Sequence, residues 1–224
     1  MTLFSDASQA IQFDHLVVIA DTLDAGVRHV VDALQVEPVP GGQHPGMGTH
    51  NQLLNVGGGL YLEIIAIDPQ AAAPQRARWF GLDQSTVQAR LESGPFLAHW
   101  VARVQRPKQL ARWQSQYPGR IAPVLPMTRG DFAWQISVPD DGSLPGDGLL
   151  PTLIQWQTPL HPSQRLPQAL VSLRSLRGFH QRAAQLQSEL TWLGAAHLLT
   201  IEPTLVESSL VAEFDTPTGV RVLK

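Results

Sequence analysis

The feature that most constrains the fold of this chain is a pattern that occurs twice. Residues 13–20 (FDHLVVIA) and 96–104 (FLAHWVARV) are both apolar, strand-like stretches, and each carries a histidine in its first half. These histidines, His15 and His99, lie 84 positions apart. A helix pattern and then further strand-like segments follow each stretch, so the order of elements is the same in both halves. We therefore predict an internal duplication.

The first half has the pattern of a strand, a helix and up to three further strands. Asp21 and Thr22 provide an N-cap for an amphipathic helix whose apolar residues recur at helical spacing. A passage rich in glycine and proline, residues 38–48, indicates a loop or a distorted hairpin. Strand character resumes over 49–56 and, after three consecutive glycines, over 60–67.

The second half repeats this order after a polar connector, and a compressed third copy follows. The predicted connector spans 68–94 and has a helix near 83–92. The second half then has a helix over 106–116 and strands at 121–127, 132–138 and 150–157, with a turn-rich segment at 140–148. The third copy has a strand (169–178), a helix (179–195) and two or three strands. The expected modules span residues 1–80, 95–162 and 168–224.

Composition excludes several classes of partner and site. The 224 residues include 16 Lys and Arg against 19 Asp and Glu, a net charge of −3, so nucleic acid is not an expected partner. Because cysteine is absent, disulfides, thiolate nucleophiles and Cys-ligated metals are excluded, and a metal site must use His, Asp, Glu or Gln. The start, MTLFSDASQA, lacks the features of a signal peptide, and no stretch approaches the ~18 apolar residues of a membrane span. We expect a cytoplasmic protein without membrane contact.

Four polar residues recur at two corresponding points of the duplicated unit. Glu63 lies inside the apolar stretch LYLEIIAI, where an unpaired carboxylate would cost several kcal/mol of desolvation. Gln155, in TLIQWQ, stands in the matching place of the second half, since it follows Ile154 as Glu63 follows Leu62. His15 and Glu63 are 48 positions apart, and His99 and Gln155 are 56 apart. If the halves pack about a pseudo-two-fold axis, these side chains can converge into a site with two nitrogen and two oxygen donors.

Three stretches carry a resemblance to a known family: GGQHPGMGTHN (41–51), YLEIIAIDP (61–69) and LLPTLIQWQTPLHP (149–162). They resemble the glyoxalase-like domain of the vicinal-oxygen-chelate superfamily, which also contains glyoxalase I, extradiol dioxygenases and bleomycin-resistance proteins. The resemblance implies an α+β fold in which tandem βαβββ modules form a curled mixed sheet around a cleft, here with a third partial module at the C-terminus.

The resemblance also implies a divalent cation (Zn, Ni, Mn, Co or Fe) on the first and last strands of each module. Carried over by position, its ligands are His15, Glu63, His99 and Gln155, and Gln155 departs from the commoner glutamate. Either His44 or His50 is an alternative to His99 as ligand. Each residue also has a structural interpretation: His15 as a satisfied buried histidine, and Glu63 as the ion-pair partner of Arg129 or Arg103.

Several further residues are candidates for binding a small molecule. Indole rings on strands of the second half can line a cleft for an apolar or aromatic ligand, although core packing explains any one of them equally well. An arginine in the stretch PMTRGDFAW can clamp an anionic group or sit exposed in a turn. The candidates are His44, His50, Trp100, Arg129, Trp134 and Trp156.

Two functions from different classes are consistent with these patterns. The leading hypothesis is a metal-dependent isomerase, lyase or dioxygenase whose substrate chelates the cation through adjacent oxygens, with Glu63 as the proton acceptor. The rival is a metal-free module that binds or sequesters a small molecule. Both require a small-molecule partner, and both are compatible with a homodimer. A purely structural or protein-interaction domain is disfavoured, because no large exposed apolar patch is predicted.

Overall fold

A computed structural model describes residues 9–105 and 107–224. Residues 1–8, which belong to the start that lacks signal-peptide features, lie outside the described residues. Arg106, the first residue of the helix predicted over 106–116, also lies outside them. Within the described ranges, no helix is long and apolar enough to cross a membrane. The first module contains, in chain order, β1 (Ile11–Ile19), α1 (Leu23–Leu34), β2 (Val39–His44), β3 (Thr49–Asn55) and β4 (Tyr61–Ile67).

Local signals account for the first module. Thr22 caps α1 as predicted, because its hydroxyl oxygen accepts a hydrogen bond from the Ala25 amide at 3.3 Å. Residues 38–48, for which the sequence indicated a loop or a distorted hairpin, contain β2. This strand pairs with β3 across a register shift between Pro40 and Gly42. Strands β3 and β4 pair antiparallel, and β4 returns to lie parallel to β1.

The second module repeats this arrangement after a short helix in the connector. In chain order the elements are α2 (Ser85–Leu91), β5 (Phe96–Val104), α3 (Leu110–Gln116), β6 (Val124–Arg129), β7 (Phe132–Ser137) and β8 (Thr152–Trp156). Strand β8 lies parallel to β5, as β4 lies parallel to β1. The helix predicted from residue 106 begins only at Leu110, so α3 has two turns rather than three.

Residues after β8 form the partial third module. They contain α4 (Pro162–Arg165), β9 (Ser172–His180), α5 (Ala183–Leu193), β10 (Thr200–Pro203), β11 (Ser209–Thr216) and β12 (Gly219–Leu223). These strands make a separate sheet in the order β10-β9-β11-β12. The element order resembles the first two modules, but the parallel partner of β9 is the next strand, β10, rather than the last strand of the module. Pairing therefore differs from that of the other two modules.

The first two modules share one eight-stranded sheet in the order β2-β3-β4-β1-β5-β8-β7-β6. The sheet curls until its edges approach each other, since Arg129 at the end of β6 hydrogen-bonds His44 of β2 and Asn51 of β3. On the convex face, apolar residues such as Phe13 and Trp100 pack with the helices and the second sheet. The concave face encloses a cleft lined by a second apolar cluster.

The register between β1 and β5 confirms the duplication at the level of single residues. His15 pairs with Val101, and Val17 pairs with His99. A shift of 84 positions relates His15 to His99 and Val17 to Val101, so the two pairs are equivalent. Each strand also carries one extra residue in a β-bulge, Asp14 in β1 and its equivalent in β5. The two central strands are thus related by the pseudo-two-fold axis that the sequence pattern predicts.

Candidate active site

A small cavity lies inside the curled sheet, between the two modules. Its volume is about 30 Å³, enough for roughly one water molecule in this conformation. Most of its wall is aromatic or apolar, and its polar groups come mainly from the first module. The lining residues are His15, His44, Asn51, Tyr61, Glu63, Trp79, Phe80, Arg129, Trp134, Ile136, Ile154 and Trp156.

The β-bulge in β1 places a buried carboxylate behind this cavity. Asp14 is the unpaired residue of the bulge, and its Oδ1 accepts a hydrogen bond from Nδ1 of the adjacent His15 at 2.7 Å. Its Oδ2 accepts from Trp156 Nε1 at 3.0 Å and from His161 Nε2 at 3.1 Å. Burial alone would raise the pKa of Asp14, but the charge of His161 and these hydrogen bonds lower it strongly. Asp14 is therefore ionised and holds the His15 ring in place.

His15 and Glu63 form a buried pair at the cavity wall. Nε2 of His15 lies 3.5 Å from Oε2 of Glu63, and Oε1 of Glu63 accepts a hydrogen bond from Asn51 Nδ2 at 2.5 Å. The Tyr61 ring stacks on the imidazole with centroids 4.4 Å apart. This arrangement follows from β1 and β4 being parallel neighbours, with Val17 beside Glu63 in register.

Both members of the pair carry charge at neutral pH. Burial lowers the pKa of His15, but hydrogen bonds to Asp14 and Glu63 raise it to about 9. Burial raises the pKa of Glu63, but the hydrogen bond and charge of His15 lower it to about 2. An imidazolium and a carboxylate therefore face each other, one able to release a proton and the other able to accept one.

His44 closes the cavity from the β2 side. Its Nδ1 lies 3.2 Å from Thr49 Oγ1, and its Nε2 accepts a hydrogen bond from Arg129 Nη1 at 3.1 Å. Burial lowers the pKa of His44 to about 4, so this imidazole is neutral. The same Arg129 nitrogen donates to Asn51 Oδ1 at 3.3 Å. Asn51 thus connects the guanidinium of Arg129 to the carboxylate of Glu63.

His99, the equivalent of His15, does not join this group. Its Nδ1 lies 3.1 Å from the Gly148 carbonyl oxygen, and its Nε2 lies 2.9 Å from Thr152 Oγ1 and accepts a hydrogen bond from the Thr152 amide at 3.1 Å. Gly148 has φ +94°, and a Cβ there would fall 2.2 Å from a carbonyl oxygen, so only glycine fits. Burial lowers the pKa of His99 to about 3. Both ring nitrogens are already used by protein groups, and this imidazole is neutral.

Gln155 lies apart from His15 and Glu63. Its side-chain oxygen accepts a hydrogen bond from the Leu110 amide at 3.0 Å, and its nitrogen donates to the Lys108 carbonyl at 2.9 Å, both near the start of α3. Its neighbours in β8, Ile154 and Trp156, are the ones that line the cavity. The expected convergence of all four residues does not occur, because the alternation of side chains along β8 directs Gln155 elsewhere.

Register identifies the residue that does correspond to Glu63. In the first module Val17 pairs with Glu63, and in the second its equivalent, Val101, pairs with Thr152. Thr152 therefore occupies the position at which Gln155 was expected. A neutral hydroxyl replaces a carboxylate at this point of the duplicated unit.

The remaining sequence candidates divide between the cavity and other places. Trp134 and Trp156 line the cavity. Trp100 is on the convex face, where it stacks on Phe13 with centroids 5.5 Å apart. His50 borders a different pocket, of about 440 Å³, beside the start of α1.

Sequence reasoning missed four contributors to the site: Asp14, Asn51, Trp79 and His161. The adjacency of Asp14 and His15 was a usable signal, because a β-bulge can bring neighbouring side chains together. No short-range signal identified Trp79 as a site residue. Its indole Nε1 is buried, and no described residue accepts a hydrogen bond from it.

The donor set does not fit the four-ligand cation site that the sequence suggested. His15 and Glu63 face each other, whereas His99 and Gln155 are committed to other partners. Over residues 9–105 and 107–224, no three side chains of His, Cys, Asp or Glu are grouped to hold a metal ion. The guanidinium of Arg129 also adds positive charge beside His44.

A family model and one solved structure with a TM-score above 0.5 agree with this architecture. A family model described as glyoxalase-like domain matches residues 13–194. No curated protein matches the chain. The crystal structure of a hypothetical protein from Staphylococcus aureus is similar to this chain with a TM-score of 0.59 and 17% identity, covering 89% of this chain and 88% of that one. Methylmalonyl-CoA epimerase from Mycobacterium tuberculosis aligns with a TM-score of 0.42 and 14% identity, over 69% of this chain and 93% of its own.

Proposed function

The chain belongs to the glyoxalase-like domain family, and we propose that it is a proton-transfer enzyme of the isomerase or lyase type that acts on a small organic molecule. One observation carries the proposal. A buried imidazolium, His15, and a buried carboxylate, Glu63, lie 3.5 Å apart at the wall of a largely aromatic cavity. Such a pair supplies an acid and a base on the two sides of one reacting centre.

The proposed reaction is removal of a proton from a carbon next to a carbonyl group. The C–H bond breaks, its proton passes to Oε2 of Glu63, and its electron pair moves to the carbonyl oxygen as an enolate. His15 donates a hydrogen bond from Nε2 to that oxygen and stabilises its negative charge. Return of the proton from Glu63 to the same carbon restores the carbonyl compound, with exchange against solvent protons as the observable result. Where that carbon also carries a hydroxyl group, the hydroxyl proton moves to the enolate oxygen and the Glu63 proton adds to the former carbonyl carbon, so that the carbonyl group moves by one carbon and an isomerisation is complete.

The resting pKa of Glu63 is compatible with this role. The hydrogen bond from His15 is the largest of the contributions that lower it to about 2. A substrate oxygen that takes over the His15 proton removes this contribution, so Glu63 becomes a stronger base once the substrate is bound. Asp14 keeps its hydrogen bond to His15 throughout and holds the ring in orientation.

The rest of the cavity wall suits a molecule with a short carbon skeleton and oxygen acceptors. Trp134 and Trp156 offer apolar ring faces. Trp79 brings an N–H donor that has no acceptor among the residues described, and leaving such a donor buried and unpaired costs about 1–3 kcal/mol. A substrate oxygen beside Trp79 would relieve that cost.

Deuterium exchange tests the proposal without knowledge of the natural substrate. Pyruvate and its neutral amide, pyruvamide, both carry a methyl group next to a carbonyl, and loss of the methyl proton signal in D₂O reports proton removal. We expect the wild-type protein to accelerate exchange and Glu63→Gln to slow it by about 10²-fold or more. Glu92→Gln, at an exposed position after α2, is the matched control and should exchange like the wild type.

The outcomes separate the enzyme from a binding module. No acceleration by the wild type, or equal acceleration by Glu63→Gln, would contradict the proposal. Quenching of tryptophan fluorescence by pyruvate or pyruvamide, without any proton exchange, would instead support the rival function, metal-free binding or sequestration. Exchange that requires added divalent metal would restore the metal-dependent hypothesis.

A further inference from the structure

Arg129 separates the buried cavity from a larger pocket at the surface. The outer pocket has a volume of about 380 Å³, within the usual range for small-molecule sites, and lies where the edge strands β2 and β6 meet. Arg129 lines both spaces. A molecule that moves from the outer pocket to Glu63 between these two spaces must therefore pass the guanidinium of Arg129.

The position of Arg129 depends on close contact between the two edge strands. A Cβ on Gly42 of β2 would lie 2.9 Å from Cδ of Arg129, so glycine leaves the space that this side chain fills. Gly130, which follows Arg129 in the tight turn between β6 and β7, has φ +55°. The turn thus places Arg129 across the opening.

The guanidinium of Arg129 has no negative partner in the part of the chain that the structure describes. Its side-chain hydrogen bonds go to neutral acceptors, Nε2 of His44 and Oδ1 of Asn51. Arg165, which borders the same outer pocket, differs because its Nη2 lies 2.9 Å from Oδ2 of Asp131. The opening therefore carries one half-buried, uncompensated positive charge.

We propose that Arg129 receives the carboxylate of the substrate, so that the substrate class is a small monocarboxylate with a carbonyl group beside it. This inference rests on the proposed proton-transfer function of the same site. A single uncompensated guanidinium matches the single charge of a carboxylate, and its two-pronged geometry matches the two carboxylate oxygens. A phosphate dianion would leave one negative charge unbalanced.

The exchange of partners at Arg129 also opens the route inward. In the resting arrangement the guanidinium is held by His44 and Asn51, and the inner cavity holds about one water molecule. A carboxylate is a stronger acceptor than either neutral group, so it draws the guanidinium away from them. The carbonyl end of the substrate then occupies the space beside His15 and Glu63.

Pyruvate and pyruvamide test this inference, because the two differ in charge and hardly in shape. Tryptophan fluorescence titration gives the affinity of each for the intact protein. We expect the wild type to bind pyruvate about 10-fold or more tightly than pyruvamide, as hydrogen bonds to a charged group predict. Arg129→Gln should remove the preference, and Arg129→Lys should retain part of it through its charge. Arg174→Gln, in the second sheet and paired with Asp215, is the control.

The results distinguish the two proposals from each other. Equal wild-type affinity for both molecules, with Glu63-dependent exchange intact, would overturn the role of Arg129 and leave proton transfer standing. A preference for pyruvate that survives in Arg129→Gln would also overturn the proposed role of Arg129. A preference that depends on Arg129 without any exchange would support the carboxylate site and contradict the enzyme. Absence of binding by either molecule would overturn both.

Discussion

Thr152 lies in the second module at the strand position that Glu63 occupies in the first. Their partners, Val101 and Val17, are 84 positions apart, as are the histidines that they face. His15 Nε2 is 3.5 Å from the Glu63 carboxylate, and His99 Nε2 is 2.9 Å from the Thr152 hydroxyl. One half of a symmetric scaffold therefore holds a charged acid and base, while the other holds a neutral hydrogen-bonded pair.

The neutral pair has a structural role, which Thr152→Val tests. Valine keeps the shape of threonine but removes the hydroxyl, so buried His99 loses one of its partners. We expect the free energy of unfolding to fall by about 1–3 kcal/mol, measured by urea denaturation. Thr200→Val, at an exposed position of β10, should change it by less than about 0.5 kcal/mol. Equal effects of the two substitutions would contradict this role.

Asp14 is expected to be the most sensitive residue of the charged half. Its fully buried carboxylate accepts hydrogen bonds from His15, Trp156 and His161, and Asp14→Asn leaves the imidazolium of His15 without its closest counter-charge. Loss of one partner from a buried pair costs about 3–5 kcal/mol. Thermal and urea unfolding measure the loss, and Asp32→Asn, exposed on α1, is the control. A loss no greater than that of the control would show that Asp14 is dispensable.

Much of the fold was predictable from the sequence because its signals are local or repeated. The spacing of His15 and His99 predicted the duplication, and the amphipathic pattern predicted α1. The resemblance to the glyoxalase-like domain family is confirmed, with a curled α+β sheet. Pairing in the second sheet was not predictable, because the same order of elements is compatible with more than one strand order.

The candidate site was less predictable, because it depends on strand register. Gln155 follows an isoleucine as Glu63 follows a leucine, yet successive residues of a strand face opposite sides, and register cannot be read from one sequence. Register places Thr152 in that position instead. The contact between Arg129 and His44 forms only when the sheet edges meet, so no short-range pattern could indicate it.

Removal of metal should leave the stability of the protein unchanged. Because His99 and Gln155 are bound to protein groups, the donors that converge number fewer than the four that the sequence suggested. We expect the melting temperature to be the same before and after dialysis against EDTA and after addition of Zn²⁺ or Mn²⁺. A melting temperature that falls with EDTA, recovers with metal and loses this response in His15→Ala would contradict the interpretation.

Stability should decline on the alkaline side because His15 must lose its proton. A histidine whose pKa rises from 6.5 to about 9 in the folded state contributes stability that is fully present below pH 6.5 and is lost as the pH rises through 9. Glu63 acts in the opposite direction, with a contribution present above pH 4.5 and lost as the pH falls toward 2. Urea unfolding of the wild type and His15→Gln between pH 6.5 and 9 measures this difference, and parallel profiles would contradict it.

The charge state of His15 beside Glu63 tests the account most directly. A ¹⁵N NMR titration of the imidazole nitrogens follows both protons of the ring. We predict that His15 of the wild type is an imidazolium at neutral pH, titrates near 9 and titrates at lower pH in Glu63→Gln. An imidazole that is neutral at neutral pH, or a titration unaffected by Glu63→Gln, would contradict the proposed acid–base pair.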